Sequence, residues 1–588
     1  MLLASCSEYG FHSPVTEVPQ PAGPQWRLQD CCWHPPTPGI AECEGVPLAA
    51  AGPAPSDTCD VVDFTGWELA IEWEVPVPIY VLPMVVPGPG EVPTVVYTNA
   101  LYMRDSGSRG IVELDGADGS ERGSFLLEVT DNGEATTFAR ETGGELAATW
   151  LRPADESLAW WSASQPERRS EPLQSGGFAR WLDIDADGTP EIVGHCLSAR
   201  TDGTTVAYVD DFVSGDMAMA AHGDFDGDGR MQIASALGIW DPLTGDLTPW
   251  NGLSEHTLEA APVMIDGEVA LLGTDGLGAF RARPDGEVVW RIPLAEYETE
   301  GIAVGDVDGD GVPEMAVNTY EELLLVDVSG QQRWSVASGP GGVVERGSVA
   351  MADLDADGAY EVIAVGNSGL RILDGATGTV LAFDSSFSHD WEYASPAIAD
   401  IDGDGSAEIV VAGQLHATGE WVLRAYGPAA GSWARTRPVW NELDYDVTTV
   451  QDDGQLAVWP IPNWESYNNF RAQPAHDGPH PDLTVSATDL CCDSDTVFLA
   501  VQPANLGSID AFSGATITLS TNDGSGWRTV ATHTLAEGID AQTAAAGFAF
   551  EVSRADWGNL QVLQVTGTDG DECDFVNDRV QVGLVCPE

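Results

Sequence analysis

The 588 residues contain no lysine: all 24 basic side chains are arginine, against 93 acidic ones, for a formal net charge of −69 at pH 7. Phosphate-driven binding needs clustered cations that release counterions, so this balance makes duplex DNA, RNA and anionic lipid headgroups poor partners. No uninterrupted apolar run reaches about 18 residues, the length a membrane-spanning helix requires. Also missing are the H-E-x-x-H spacing of zinc hydrolases, a C-x-x-C-H haem attachment and a G-x-S-x-G nucleophile elbow. What remains is a chain that is 43% apolar and long enough for three or four domains with real cores. Its 65 glycines and 37 prolines punctuate short runs of Val, Thr and Trp, which predicts all-β structure.

Residues Leu3-Ala4-Ser5-Cys6 resemble the lipobox of bacterial lipoproteins, in which the cysteine is lipidated and begins the mature chain. Residues 1–75 then read as a lipobox-like N-terminus and a Pro-rich, cysteine-containing tether. The other nine cysteines fall into Cys31, Cys32, Cys43 and Cys59, then Cys196 alone, then Cys491, Cys492, Cys573 and Cys586. Two clusters of four in an exported chain predict structural disulfides, with the pairing open and Cys196 left over. Neither cluster has the paired C-x-x-C knuckles of a zinc site.

One phrase returns through the middle of the chain. Asp183, Asp185, Asp187, Thr189 and Glu191 stand at positions one, three, five, seven and nine of the first copy. The same positions hold Asp224, Asp226, Asp228, Arg230 and Gln232, then Asp306, Asp308, Asp310, Val312 and Glu314. Two more copies hold Asp353, Asp355, Asp357, Ala359 and Glu361, and Asp400, Asp402, Asp404, Ser406 and Glu408. The widest gap, from Asp224 to Asp306, contains a worn copy around Asp266-Gly267 that has lost its acids but kept the strand after it. Each copy precedes an apolar run, and a glycine turn before another strand usually follows, as in Gly286 to Trp290 and Gly330 to Trp334. Three or four strands per forty-odd residues is the arithmetic of a propeller blade. With fainter copies near Leu114-Asp115 and Asp131-Asn132-Gly133, the count is seven or eight, and seven is favoured.

These D-x-D-x-D-G-x-x-E loops ahead of short strands resemble the FG-GAP (VCBS-type) repeats of integrin α-chain propellers and bacterial surface proteins, over residues 76–435. The resemblance implies a seven-bladed, alternatively eight-bladed, β-propeller with calcium in its blade loops, and no particular activity. The residues give the same cation on chemical grounds. Carboxylates at positions one, three and five point into one concavity, and glycine at six allows the tight turn. The carbonyl at seven and the acid at nine complete a set of hard oxygen donors, which selects Ca²⁺. Three like charges on a short loop repel unless a cation sits among them. Five loops predict about five ions, weakest at the Gln232 copy, with dissociation constants of about 10⁻⁴ to 10⁻³ M.

Residues 436–477 form an aromatic-rich closing segment, expected to pack under the last blade, with a sugar-stacking platform as the lesser reading. From 478 to 588, seven evenly spaced strand candidates predict an immunoglobulin-like β-sandwich. Pro481-Asp-Leu-Thr-Val, Asn505-Leu-Gly507 and Asp571-Glu-Cys-Asp574 resemble a CARDB-type adhesion domain. The whole reads as a calcium-stabilised binding or adhesion module, on a bacterial cell surface as an outer-membrane lipoprotein or secreted. Its expected partner is an extracellular protein or glycan, and a membrane enters only through lipidated Cys6. The rival is a propeller polysaccharide lyase or hydrolase acting in a central cleft. The Gly-then-Trp strands also suggest a quinone-cofactor dehydrogenase, ranked low because both CysCys pairs lie outside the propeller.

Overall fold

In the computed structural model the chain is all-β, with no α-helix among the described residues. These are 44–46 and 64–581 apart from short stretches, the longest being 99–108, 170–178, 210–220, 338–346 and 567–578, while two short ones hold Asp187 and Asp228. Cys6, Cys31, Cys32, Cys43, Cys59, Cys573 and Cys586 lie outside them. The chain divides into two units, 62–184 with 189–476, and 1–61 with 185–188 and 477–588.

The larger unit is a propeller-like succession of small antiparallel sheets, eight among the described residues. Sheets 1 to 7 each take four consecutive strands and span 84–127, 135–169, 180–208, 221–249, 259–293, 299–337 and 347–384. Sheet 8 is built from Ala397–Ala399, Glu408–Leu415 and Trp421–Pro428, and its outer strand, Leu69–Pro76, comes from far upstream. That strand falls largely within the stretch that composition assigned to a tether. The count exceeds the favoured seven because 135–169, announced only by Asp131-Asn132-Gly133, is a complete sheet. In the worn copy the loop has shrunk to a two-residue hairpin, Asp266-Gly267, with φ of 56° and 79°, which leaves no room for an acidic comb.

Burial explains why the strands read as they do. Second strands such as Glu314–Thr319 and first strands such as Gly347–Ala352 are buried throughout, whereas the fourth strand Gln332–Ala337 is exposed at alternate residues. Three of the outer strands also carry a latch. Trp73, Trp290 and Trp334 donate from Nε1 to the carbonyls of Gly116, Val328 and Gly375, at 2.6, 2.8 and 2.7 Å, each in a turn of the next sheet. Each indole covers a glycine of that turn, Gly119, Gly330 or Gly378, where a Cβ would lie 2.7 to 2.9 Å from the ring. The Gly-then-Trp pattern is thus a packing device. Trp73, in the outer strand of sheet 8, fastens that sheet to sheet 1.

The aromatic-rich segment does more than underlie one sheet. From Arg437 to Gln473 it touches the first strand, or the loop after it, of every sheet in turn. The Arg437 carbonyl accepts from Asp400 of sheet 8 at 3.2 Å, and Trp440 exchanges backbone bonds with Val85 of sheet 1 at 2.9 Å. Phe138 of sheet 2 donates to the Asn441 carbonyl at 2.8 Å. Arg180 of sheet 3 pairs with Asp444 at 3.2 Å, and His222 Nε2 of sheet 4 lies 3.5 Å from Asp446. Met264 of sheet 5 donates to Asn468 Oδ1 at 2.7 Å, and Val304 of sheet 6 bonds Phe470 at 2.8 and 2.9 Å. Met351 of sheet 7 bonds the Arg471 carbonyl at 2.9 Å, and Gln473 returns to Ile398 of sheet 8 at 3.0 Å.

In the smaller unit, all seven C-terminal strand candidates are strands, in two antiparallel sheets. Their shared core includes Val485, Leu499, Ile517 and Leu563. Glu44–Val46, which composition placed in the tether, pairs antiparallel with Leu483–Cys492, Val46 opposite Leu490. Cys492 is disulfide-bonded, and Cys196 is buried. Cys491 shares the Cys492 strand.

Candidate metal centres

All five acidic loops occupy one place, between the first and second strands of sheets 3, 4, 6, 7 and 8. Residue nine begins the second strand, so its side chain turns back under the loop. In every copy it accepts the backbone N–H of residue two: Ile184 to Glu191, Phe225 to Gln232, Val307 to Glu314, Leu354 to Glu361 and Ile401 to Glu408, at 2.7 to 3.3 Å. The first aspartate is held by amides as well. Asp306 accepts from Gly309 at 2.8 Å and Gly311 at 2.6 Å, and Asp400 from Gly403 at 2.7 Å and Gly405 at 3.0 Å. Asp310, Asp357 and Asp404 take the amides of Val312, Ala359 and Ser406 at 2.9, 2.9 and 2.7 Å. Glycine at position six is left-handed, with φ of 81°, 86° and 91° at Gly311, Gly358 and Gly405.

This scaffold gathers carboxylates in four loops. Asp183, Asp185 and Glu191 offer oxygens within 4.8 Å of one another, as do Asp306, Asp308 and Glu314. Asp353, Asp355 and Asp357 form a third such group, and Asp400, Asp402 and Asp404 a fourth. Burial, reinforced by the neighbouring carboxylates, pushes Glu314 and Asp353 up to about 7, Asp400 to about 6 and Glu361 to about 9, and raises Glu408 well above its ordinary range. Such a site resists ionisation until a cation enters it. Arg333 supplies part of that charge in one loop, 2.7 Å from Asp308 and 3.6 Å from Glu314. Hard oxygens, clustered and aimed inward by amides, fit Ca²⁺.

The Gln232 loop differs. No group of three acids forms there among the described residues, and Gln232 Nε2 donates to Asp226 Oδ1 at 3.3 Å and to the Arg230 carbonyl at 2.9 Å. Conversely, Glu72 adds a carboxylate that motif reading missed. It is the bulge residue of the outer strand of sheet 8, lies over Gly427, and is pushed up to about 7 by burial and by Asp402, Asp404 and Asp400. No spacing rule links residue 72 to residue 400. Only the pairing of Leu69–Pro76 with Trp421–Pro428 brings them together.

An FG-GAP-like repeat family model matches residues 353–411, which hold the loops of sheets 7 and 8. No curated protein matches the chain in sequence. Among solved structures the chain is similar to the Vibrio cholerae biofilm matrix protein Bap1, with a TM-score of 0.55 and 14% identity over 69% of this chain and 98% of that one. At that identity the likeness concerns the fold alone. A fungal alcohol oxidase in complex with copper is similar at a TM-score of 0.36 and 10% identity, over 87% of this chain and 98% of that one, too slight to carry an argument. The chain therefore carries an FG-GAP-like repeat on a β-propeller-like fold.

Proposed function

We propose that the larger unit is a closed, eight-bladed propeller stapled by calcium, and that the smaller is an immunoglobulin-like sandwich of CARDB type. Together they form an extracellular or cell-surface binding or adhesion module of a bacterium, secreted or held by lipid on Cys6, presenting a propeller face to a protein or glycan. Closure is supported by the lap of residues 437–473, which leaves sheet 8, meets sheets 1 to 7 in order and returns to sheet 8. It is supported again by Trp73, which fastens sheet 8 to sheet 1. About four ions are expected instead of five, because Gln232 already satisfies the oxygens a fifth would bridge. Loops of this kind fill at millimolar calcium, which suits an extracellular setting.

The lyase or hydrolase rival needs a reachable base or cation on the axis. Arg180 and Arg471, paired with Asp444, His222 beside Asp446, and Tyr445 between those two acids in sequence are all buried. His222 accepts from Arg180 at 2.7 Å, and burial pushes it down to about 4, so it is neutral and engaged. The reading rests on the recurrence of three carboxylates within 4.8 Å at one strand junction of four sheets. Elemental analysis after dialysis against calcium should find about four ions per chain, and a chelator should lower the melting temperature. Fewer than two ions, or a melt that the chelator leaves unmoved, would overturn the staple.

A further inference from the structure

The joint between sheets 7 and 8 breaks the latch on both sides. Trp290, Trp334 and Ala382 each stand four residues after a turn glycine and share one register, opposite Arg281, Leu325 and Ile372, the last-but-one residues of the third strands. Sheet 7 therefore offers a methyl group where sheets 5 and 6 offer an indole. The receiving turn is gone as well. In sheet 8 the third strand ends at Pro428 and the outer strand enters separately at Leu69, joined only by bonds such as Ala429 N–H to the Glu68 carbonyl at 2.7 Å. A groove of about 600 Å³ opens there, between Trp67, Leu69 and Ile71 on one side and Leu381 and Phe383 on the other. Ile71 and Phe383 stand 47% and 48% exposed along it.

Three features say what fits. At two other joints, from sheet 5 to 6 and from sheet 6 to 7, the position of Ala382 is filled by tryptophan, and the groove is larger than one side chain, so it has room for flanking residues. Both walls are edge strands, Leu69–Pro76 and Val380–Asp384, and the free backbone groups of a strand edge pair with extended polypeptide. The charged residues of the lining are the acids Glu68 and Asp384, while the nearby Arg424 is already engaged by Glu74 at 2.6 Å and Asp384 at 3.0 Å. We propose that this groove binds an extended segment of a partner protein, which inserts a tryptophan beside Ala382 and sets arginine or lysine against Glu68. The proposal deepens the reading of the molecule as a binding module and rests on it.

The test uses the full chain in calcium and a fluorescent pentapeptide, Gly-Arg-Trp-Arg-Gly, followed by anisotropy. Saturable binding is expected, at least tenfold weaker when alanine replaces the peptide's tryptophan or glutamate its arginines. Ala382→Trp should supply the missing indole from within, weakening binding at least tenfold without lowering the melting temperature. Phe383→Ser, at the exposed rim, should weaken binding with the melt unchanged. No saturable binding, equal binding of the alanine peptide, full binding by Ala382→Trp and Phe383→Ser alike, or displacement of the peptide by neutral methyl glycosides would each overturn the proposal. Melting the same samples with chelator separates the two readings: absent peptide binding with a chelator-sensitive melt removes the groove and leaves the staple.

Discussion

Loops 224–232 and 353–361 have one length, one position and one opening, Asp-x-Asp, yet they meet the same electrostatic problem differently. In both, residue nine accepts the amide of residue two, at 2.7 Å from Phe225 and 2.9 Å from Leu354. Gln232 then has an NH₂ left, and it bridges the carboxylate of residue three and the carbonyl of residue seven. Glu361 has only a second oxygen to offer, and burial with Asp355, Asp353 and Asp357 pushes it up to about 9. A neutral amide thus does within the chain what the other loop leaves to a cation. Removing metal should separate the two most sharply. With dissociation constants of about 10⁻⁴ to 10⁻³ M, each ion adds about 1.4 to 2.7 kcal/mol at about 10 mM calcium, so four contribute about 6 to 11 kcal/mol. Denaturant unfolding with and without chelator measures the total. Hydrogen exchange localises it: Leu354, Val307 and Ile401 amides should lose protection in chelator and Phe225 should keep it. Equal losses would erase the contrast.

Proton linkage gives the next largest effect. Asp353 and Glu314 titrate near 7 and Glu361 near 9 in the folded chain, all above their unfolded values. Groups raised in this way contribute stability below about pH 4 and lose it as pH rises through 7 to 9. The metal-free protein should therefore melt at progressively lower temperature from about pH 5 to about pH 9. In calcium the trend should reverse, because protons cease to compete for the carboxylates. A metal-free melt that rises over this window would contradict the buried carboxylate clusters.

Exchanging the closing residues makes a smaller change. Gln232→Glu should create the acidic version of its loop, adding one bound ion and costing about 1 to 3 kcal/mol without metal, since a buried donor pair is replaced by a like charge. Glu361→Gln should do the opposite, with one ion fewer and a metal-free protein more stable by a similar amount. Elemental analysis and chelated melting curves check both. An unchanged ion count in Gln232→Glu would show that the glutamine is not what sets that loop apart.

The loops were legible in the sequence because their chemistry is local. Asp at one and three, Gly at six and an acid at nine lie within nine residues, and the alternation of the C-terminal strands is equally local. What escaped was assembly across distance. Leu69–Pro76 sits beside a Pro-rich run, and its partner Trp421–Pro428 is some 350 residues away, so periodicity gave no sign that it completes sheet 8. Sheet 2 was faint because its first loop, Glu141-Thr-Gly-Gly-Glu145, lacks the alternating aspartates of the other copies. The lap of residues 437–473 was hidden because its contacts are one or two bonds to each successive strand. Glu72 depended on both the missed strand and a bulge within it.

The finest distinction lies among the loops that hold acids at one, three and five. At position four, Gly309 and Gly403 have φ of 71° and 81°, and Ala356 adopts the same left-handed conformation at 57°. For a residue with a Cβ this costs about 1 to 2 kcal/mol, offset in part because glycine would give the unfolded chain more freedom. Ala356→Gly should therefore stabilise the protein by about 0.5 kcal/mol, and Gly309→Ala should cost about 1 kcal/mol. A Cβ at Gly309 would meet nothing closer than the Gly358 carbonyl at 3.9 Å, so that loss would report backbone strain and not a clash. Opposite signs for the two substitutions in chelated melting curves would show that the turn, prior to any ion, is already shaped for one. Equal signs would mean that the ion shapes it.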